Sequence, residues 1–117
     1  MTETQEAPAG LARLVADARA SYAAGVCTPV AEEFAGGDGG RCRCGVGAAL
    51  ADLPPETRLW VEPAAARYGL TTAEAWDFIY GFDDGFTGGR AFGRESPAWE
   101  AGHAFGREMA ALTPAAV

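Results

Sequence analysis

The feature that most constrains this chain is the spacing of glycines in its C-terminal half. Three pairs of glycines stand four positions apart: Gly81 and Gly85, Gly89 and Gly93, and Gly102 and Gly106. Residues at that spacing lie on one face of an α-helix. Glycines there clear a flat strip on which a second backbone can approach closely. The spacing therefore predicts helices that cross at short distance.

The last two glycine pairs belong to a repeated heptapeptide. Residues 89–95 and residues 102–108 are identical at every position except the second. We expect these glycines to pack helices tightly inside the monomer, with Phe92 and Phe105 flanking the crossing. There are two alternatives: the repeat forms a self-association face and so a homodimer, or it is a duplication without a present role.

Apolar residues recur at helical spacing along most of the chain. A first helix is predicted over residues 9–24, with Gly25 as its terminator. A short buried helix is predicted over residues 46–53, where two prolines end the pattern. A third helix is predicted to begin at Pro55, and we expect Pro63 to kink or divide it.

Two further helix starts carry capping signals. Thr71 and Glu74 have the spacing of a capping box, in which each side chain satisfies the other residue's backbone N–H group. Ser96 directly before Pro97 predicts the start of a final helix that runs towards Leu112.

The chain is predicted to form one mostly α-helical bundle. Strand signals are nearly absent, because β-branched residues do not cluster in alternation. A length of 117 residues fits one domain. We expect that domain over residues 9–113, between a flexible N-terminus at residues 1–8 and a tail at residues 114–117. The Gly-rich stretch at residues 36–40 is predicted to be a surface loop.

One shared apolar core is predicted from the helical stripes. Its members are the larger apolar residues on the face that each helix is expected to turn inward. They are Leu11, Leu14, Val15, Val46, Leu50, Leu59, Trp60, Trp76, Ile79, Tyr80, Trp99 and Phe105.

The charge balance restricts the partners of the protein. The sequence has 9 basic residues, all of them Arg, against 16 acidic ones, which leaves a net charge of −7. Such a charge repels nucleic-acid phosphates and anionic lipid surfaces. Residues 1–9 lack the basic and apolar regions of a secretory signal, and no apolar stretch reaches the ~18 residues of a membrane span. We therefore expect a cytoplasmic protein with no membrane partner, and nucleic-acid binding is disfavoured.

Three cysteines and the single histidine are the candidate metal ligands. Cys27, Cys42, Cys44 and His103 supply the ligand types of a zinc site with three cysteines and one histidine. Their spacing is unlike that of most structural zinc sites, so buried thiols that behave as small apolar groups are the alternative. The arginines beside these cysteines and the helix start after Cys44 would lower a thiol pKa, which raises the option of a reactive thiol.

Asp83 and Asp84 suggest a calcium loop. With Asp84 as the first position, Gly89 and Glu95 fall where an EF-hand has its glycine and its last ligand. The third and fifth positions, however, have no side-chain oxygen, so the ligand set is incomplete. We interpret the two aspartates as carboxylates at a helix end or turn, with a general-acid pair as the alternative.

Part of the chain resembles a group of small proteins. The helix start Cys44-Gly45-Val46-Gly47-Ala48-Ala49-Leu50 follows a Gly-rich loop, and Tyr68-Gly69-Leu70-Thr71 and Phe82-Asp83-Asp84 come later. Residues 41–84 thus resemble small uncharacterised proteins of actinobacteria and their phages, which have a Cys-x-x-Gly-x-Leu-like helix start and a later Asn-Asp element. Asp83 stands where that family usually has Asn. The resemblance implies no established activity.

The C-terminal third is also loosely similar to ribosome modulation factor. The similarity rests on the spacing of glycines and aromatic residues at Gly81, Phe82, Gly85, Gly88, Pro97, Trp99, Gly102 and Gly106. That family is basic and binds ribosomal RNA. Residues 71–117 of this chain carry three Arg against seven acidic residues, so RNA binding does not follow from the similarity.

Small size, negative charge and the lack of a catalytic motif favour a protein that acts by protein–protein contact over an enzyme. We expect a small acidic cytosolic protein, of phage or mobile-element origin, that binds a protein partner. The alternative is a small metal- or thiol-dependent protein that uses Cys27, Cys42, Cys44 and His103, with zinc as its cofactor.

Overall fold

The structure, a computed structural model, describes residues 9–30, 42–54, 61–89 and 96–112. These residues form five helices and two very short strands: α1 (Ala9–Ala23), β1 (Thr28–Pro29), β2 (Cys42–Arg43), α2 (Gly45–Ala49), α3 (Val61–Tyr68), α4 (Thr72–Thr87) and α5 (Pro97–Leu112). The prediction of a mostly α-helical protein is confirmed. The predicted loop at residues 36–40 and the predicted helix start at Pro55 lie outside the described residues.

The helix ends follow local signals in the sequence. The Thr71 hydroxyl accepts a hydrogen bond from the Glu74 N–H at 3.0 Å, and the Glu74 carboxylate accepts one from the Thr71 N–H at 2.9 Å. This is the predicted capping box of α4. Before α5, the Ser96 hydroxyl accepts a hydrogen bond from the Trp99 N–H at 3.1 Å. After α1, Gly25 has a φ of +76°, the left-handed conformation that glycine adopts most readily.

A short parallel pairing joins β1 to β2, and the sequence analysis did not predict it. Thr28 lies opposite Cys42, and Pro29 lies opposite Arg43. The Tyr22 hydroxyl, near the end of α1, donates a hydrogen bond to the Arg43 carbonyl at 2.7 Å. Strands of two residues are too short to show the alternation that marks a strand in a sequence. The pairing holds the end of α1 beside the segment that enters α2.

The apolar core contains most of its predicted members. Those that are buried as predicted are Leu11, Leu14, Val46, Leu50, Ile79, Trp99 and Phe105. Val15 is partly buried and packs against this core. Leu59 and Trp60 lie outside the described residues. The helices therefore share one core, as the sequence patterns indicate.

The prediction was wrong for Trp76 and Tyr80, which are 41% and 39% exposed. α4 instead turns Phe78 and Phe82 inward, and both are fully buried. This helix has aromatic residues on two different sides. Helical spacing of aromatic residues therefore did not identify the side that faces the core, because both sides show it.

Candidate functional site

The three cysteines predicted to bind zinc lie around the pairing of β1 and β2, whereas His103 lies on α5. Cys27 directly precedes β1 and Cys44 directly follows β2, and both thiols are buried. Cys42 lies in β2, and its side chain is outside the described part of the structure. His103 lies on α5, where its ring stacks on Trp99 with 4.7 Å between the centroids. Among the described residues, no three His, Cys, Asp or Glu side chains group closely enough to hold a metal ion.

The Cys44 thiol is kept in its protonated form. Burial raises its pKa to about 12 and outweighs the opposite effect of nearby backbone N–H groups. The expectation that its neighbours lower the pKa is therefore wrong for this cysteine. The Arg43 guanidinium donates instead to the carbonyls of Gly47 at 3.0 Å and Leu50 at 3.3 Å. A protonated thiol is a poor nucleophile and a poor metal ligand.

The Tyr22 phenol lies in the same buried region. Burial raises its pKa, and interactions with Cys44, Cys27 and Asp83 raise it further. Its proton is used in the hydrogen bond to the Arg43 carbonyl. The region therefore disfavours new negative charge, which does not suit thiolate chemistry.

These pKa shifts predict a loss of stability in base. The thiol of an unfolded cysteine ionises near pH 8.5, whereas the folded protein holds the Cys44 proton up to about pH 12. Above about pH 8.5 the folded state therefore binds more protons than the unfolded state, and the free energy of unfolding falls as the pH rises. Urea denaturation between about pH 7 and pH 9.5 measures this slope. Cys44→Ala should flatten it, and an equal slope in both proteins would contradict the burial of an ionisable thiol.

α4 and α5 cross closely at four glycines. They are Gly81 and Gly85 on α4, and Gly102 and Gly106 on α5. A Cβ atom added at any of them would overlap a backbone carbonyl oxygen of the opposite helix. Phe105 lies buried next to this crossing, with its ring centroid 5.7 Å from that of Phe82. The two glycine strips are therefore filled by helices of the same chain.

The helix crossing pairs the second copy of the heptapeptide with glycines that lie outside the repeat. The glycines of the second copy meet Gly81 and Gly85. In the first copy, Gly89 follows α4 and is exposed. Gly93 and Phe92 lie outside the described residues.

Asp83 and Asp84 lie in the last turn of α4. The Asp84 carbonyl accepts a hydrogen bond from the Gly88 N–H at 2.8 Å, and the Asp83 carbonyl accepts one from the Thr87 hydroxyl at 2.8 Å. The Asp84 side chain is buried and that of Asp83 is half-buried. The two residues are at a helix end, as expected.

A stacked aromatic pair lies on the outer side of α4. Trp76 and Tyr80 are about one turn apart, and their rings stack with centroids 5.6 Å apart and planes inclined by 23°. Asp77 comes three residues before Tyr80 and so flanks its ring on the helix surface. We call Trp76, Asp77 and Tyr80 the α4 outer face. α4 contains no basic residue.

A second exposed apolar region lies between the C-terminal ends of α1 and α5. An open depression of about 210 Å³ is lined there by Arg19, Tyr22, Ala23, Pro29, Met109 and Leu112. The charged group among them, Arg19, binds the Glu108 carboxylate through two hydrogen bonds of 2.6 and 2.9 Å. The described residues that line the depression therefore present no uncompensated charge that would select a ligand.

Comparisons with known proteins do not assign either region. A scan against family models, a search of curated proteins and a search of solved structures each find no match. None of the helices in the described ranges is long and apolar enough to cross a membrane.

The sequence analysis missed the α4 outer face because it assigned both aromatic residues to the core. The glycine spacing contained the signal that identifies it. Gly85 must face the crossing helix, and Trp76 precedes it by about two and a half helical turns. That separation places Trp76 on the opposite side of α4, away from the crossing.

Proposed function

We propose that this protein acts by protein–protein contact and that its partner docks on the α4 outer face. The observation that carries the proposal is the exposed stack of Trp76 and Tyr80. Trp and Tyr are enriched at the energetic centres of interfaces, because they bury a large area with few rotatable bonds. Two rings that are already stacked lose little conformational freedom when a partner covers them.

The fold presents this pair on a rigid helix. α4 begins at a complete capping box, and its inner side is fixed against α5 by the glycine crossing. Phe78 and Phe82 supply the aromatic burial that the core requires. Trp76 and Tyr80 are therefore not needed to close the core, which supports a role for them in binding.

The remaining functional predictions have less support. The glycine strips are used inside the chain, so a homodimer through them is not favoured. A metal- or thiol-dependent function would need a reactive thiol, and Cys44 is held protonated. The net charge of −7 favours a protein partner over nucleic acid or an anionic membrane, and it suits the cytoplasmic location that we propose.

Site-specific photo-cross-linking tests the proposal. A photoreactive phenylalanine replaces Tyr80 in one variant, and it replaces Ala12, an exposed residue of α1, in a matched control. We expect extracts of the source cells to yield a cross-linked adduct from position 80 and none from position 12. The measurement is the adduct band on a denaturing gel, followed by mass spectrometry of the captured chain.

Competition shows whether the adduct depends on the α4 outer face. Excess unmodified protein should abolish the band at position 80, and a Trp76→Ala/Tyr80→Ala competitor should leave it in place. Equal competition by the two proteins, or equal cross-linking from position 12, would contradict docking on this face.

A further inference from the structure

The exposed rings of the α4 outer face have the geometry of a cation-binding surface. Trp76 and Tyr80 stack with planes inclined by 23°, so they form one extended π surface. The face of an aromatic ring attracts a cation within about 6 Å of its centroid, and Trp is the strongest of the aromatic residues in this respect. The aliphatic part of an Arg or Lys side chain also covers apolar surface while its charged end stays in water.

Elsewhere in the protein, arginines already use this kind of contact. The Arg13 guanidinium lies 5.5 Å from the centroid of the Tyr68 ring, and that of Arg19 lies 5.4 Å from the Phe105 ring. These contacts join α1 to α3 and to α5. They show that an arginine fits over a ring beside polar neighbours on the surface of this fold.

The charges around the α4 outer face select the sign of the ligand. α4 carries acidic residues and no basic one. The Asp77 carboxylate accepts a hydrogen bond from the Ser96 hydroxyl at 3.0 Å. This donor is neutral, and no basic side chain among the described residues forms an ion pair with Asp77, which lies next to Tyr80 on the helix surface.

We propose that the partner places an arginine or lysine side chain over Trp76 and Tyr80, with Asp77 beside the cation. This inference rests on the proposed function and specifies the chemistry of the partner, a basic protein segment. An apolar segment would bury Asp77 without a compensating charge, which is unfavourable. An anionic segment would be repelled by α4 and by the net charge of −7.

A pair of peptides tests the sign of the charge. The probe is a Gly/Ser peptide that contains three arginines, and its control has citrulline, which has the same shape and no charge, at those positions. Binding is followed by NMR, with the backbone signals of α4 and the Trp76 indole signal as reporters. We expect the arginine peptide to shift these signals and to bind at least about fivefold more tightly than the citrulline peptide.

Substitutions distinguish the contribution of the two rings to peptide binding from that of the overall charge. Trp76→Leu and Tyr80→Leu should each weaken the arginine peptide about threefold to fivefold, and Tyr80→Phe, which keeps the ring, should bind like wild type. Asp77→Asn keeps an acceptor for Ser96 and should weaken binding by about twofold. The matched control Glu62→Gln removes the same charge from the exposed surface of α3 and should have a smaller effect.

The outcomes distinguish this inference from the proposed function. Equal binding of the two peptides, or equal effects of Asp77→Asn and Glu62→Gln, would overturn the cation site. If the cross-link from position 80 persisted in that case, the docking function would stand with a partner of different chemistry. If the peptide preference held and depended on both rings, while no competable cross-link formed, the cation site would stand and docking of a cellular protein would fail.

Discussion

Gly106→Ala is expected to lower the free energy of unfolding by about 1–3 kcal/mol. The added Cβ atom would overlap the carbonyl oxygen of Phe82 on α4. A backbone carbonyl cannot rotate away as a flexible side chain can, so the two helices must move apart. Alanine has the better helix propensity by up to about 1 kcal/mol, and propensity alone would change stability in the opposite direction. The sign of the change, measured by urea denaturation, therefore tests the close crossing.

Matched variants separate steric overlap from helix propensity. In Gly102→Ala, the added Cβ atom would overlap the carbonyl oxygen of Phe78, so the free energy of unfolding should fall by a similar amount. Ala104 is exposed on the same helix, so Ala104→Gly measures propensity alone and should cost about 1 kcal/mol. A Gly106→Ala protein more stable than wild type would rule out the crossing. An unchanged melting temperature together with loss of a dimer in sedimentation would place these glycines between two copies.

The helix ends could be predicted because their chemistry is local. The capping box at Thr71 and Glu74 is contained within one turn of helix, and Ser96 caps α5 from the residue directly before it. Such bonds depend on residues within a few positions, so a pattern in the sequence is sufficient to recognise them. The mostly helical fold followed from the same kind of local pattern.

The role of Arg43 could not be predicted, because it depends on how the chain turns after α2. Its guanidinium donates to the carbonyls of Gly47, Leu50 and Leu53 at 3.0, 3.3 and 3.4 Å. These carbonyls lie in the last turn of a five-residue helix and beyond its C-terminal end, where helices leave carbonyls without intrahelical partners; the Leu50 carbonyl also accepts a hydrogen bond from the Leu53 N–H at 2.9 Å. The sequence analysis considered only the effect of this charge on the adjacent cysteines. The turn after α2 instead brings backbone carbonyls within hydrogen-bond distance of the Arg43 guanidinium.

The candidate site was missed for a related reason. The sequence analysis selected cysteine and histidine because these residues are rare in the chain and chemically versatile. The fold, however, buries Cys27 and Cys44 and stacks His103 on a tryptophan. The exposed face is built from Trp and Tyr, residue types that also build cores. The side of α4 that faces the core is set by its crossing with α5. The glycine spacing was the sequence signal that identifies this side.

Phe82→Ala is expected to lower the free energy of unfolding by about 3–5 kcal/mol. Phe82 is fully buried, and its ring centroid lies 5.7 Å from that of Phe105 and 5.8 Å from that of Phe86. Removing the ring leaves a cavity that the glycine crossing beside it prevents from closing. Trp76→Ala should cost only about 1 kcal/mol or less, because Trp76 is 41% exposed and lies outside the core. Urea denaturation of the two variants measures both values.

The pair of values tests which side of α4 is buried. A loss for Trp76→Ala as large as that for Phe82→Ala would mean that Trp76 belongs to the core and that the α4 outer face is not a surface. With the expected values, Trp76→Ala gives a folded protein that lacks one ring of the face. This protein should bind the arginine peptide more weakly at nearly unchanged stability, because the contribution of Trp76 to binding is then separate from its contribution to folding.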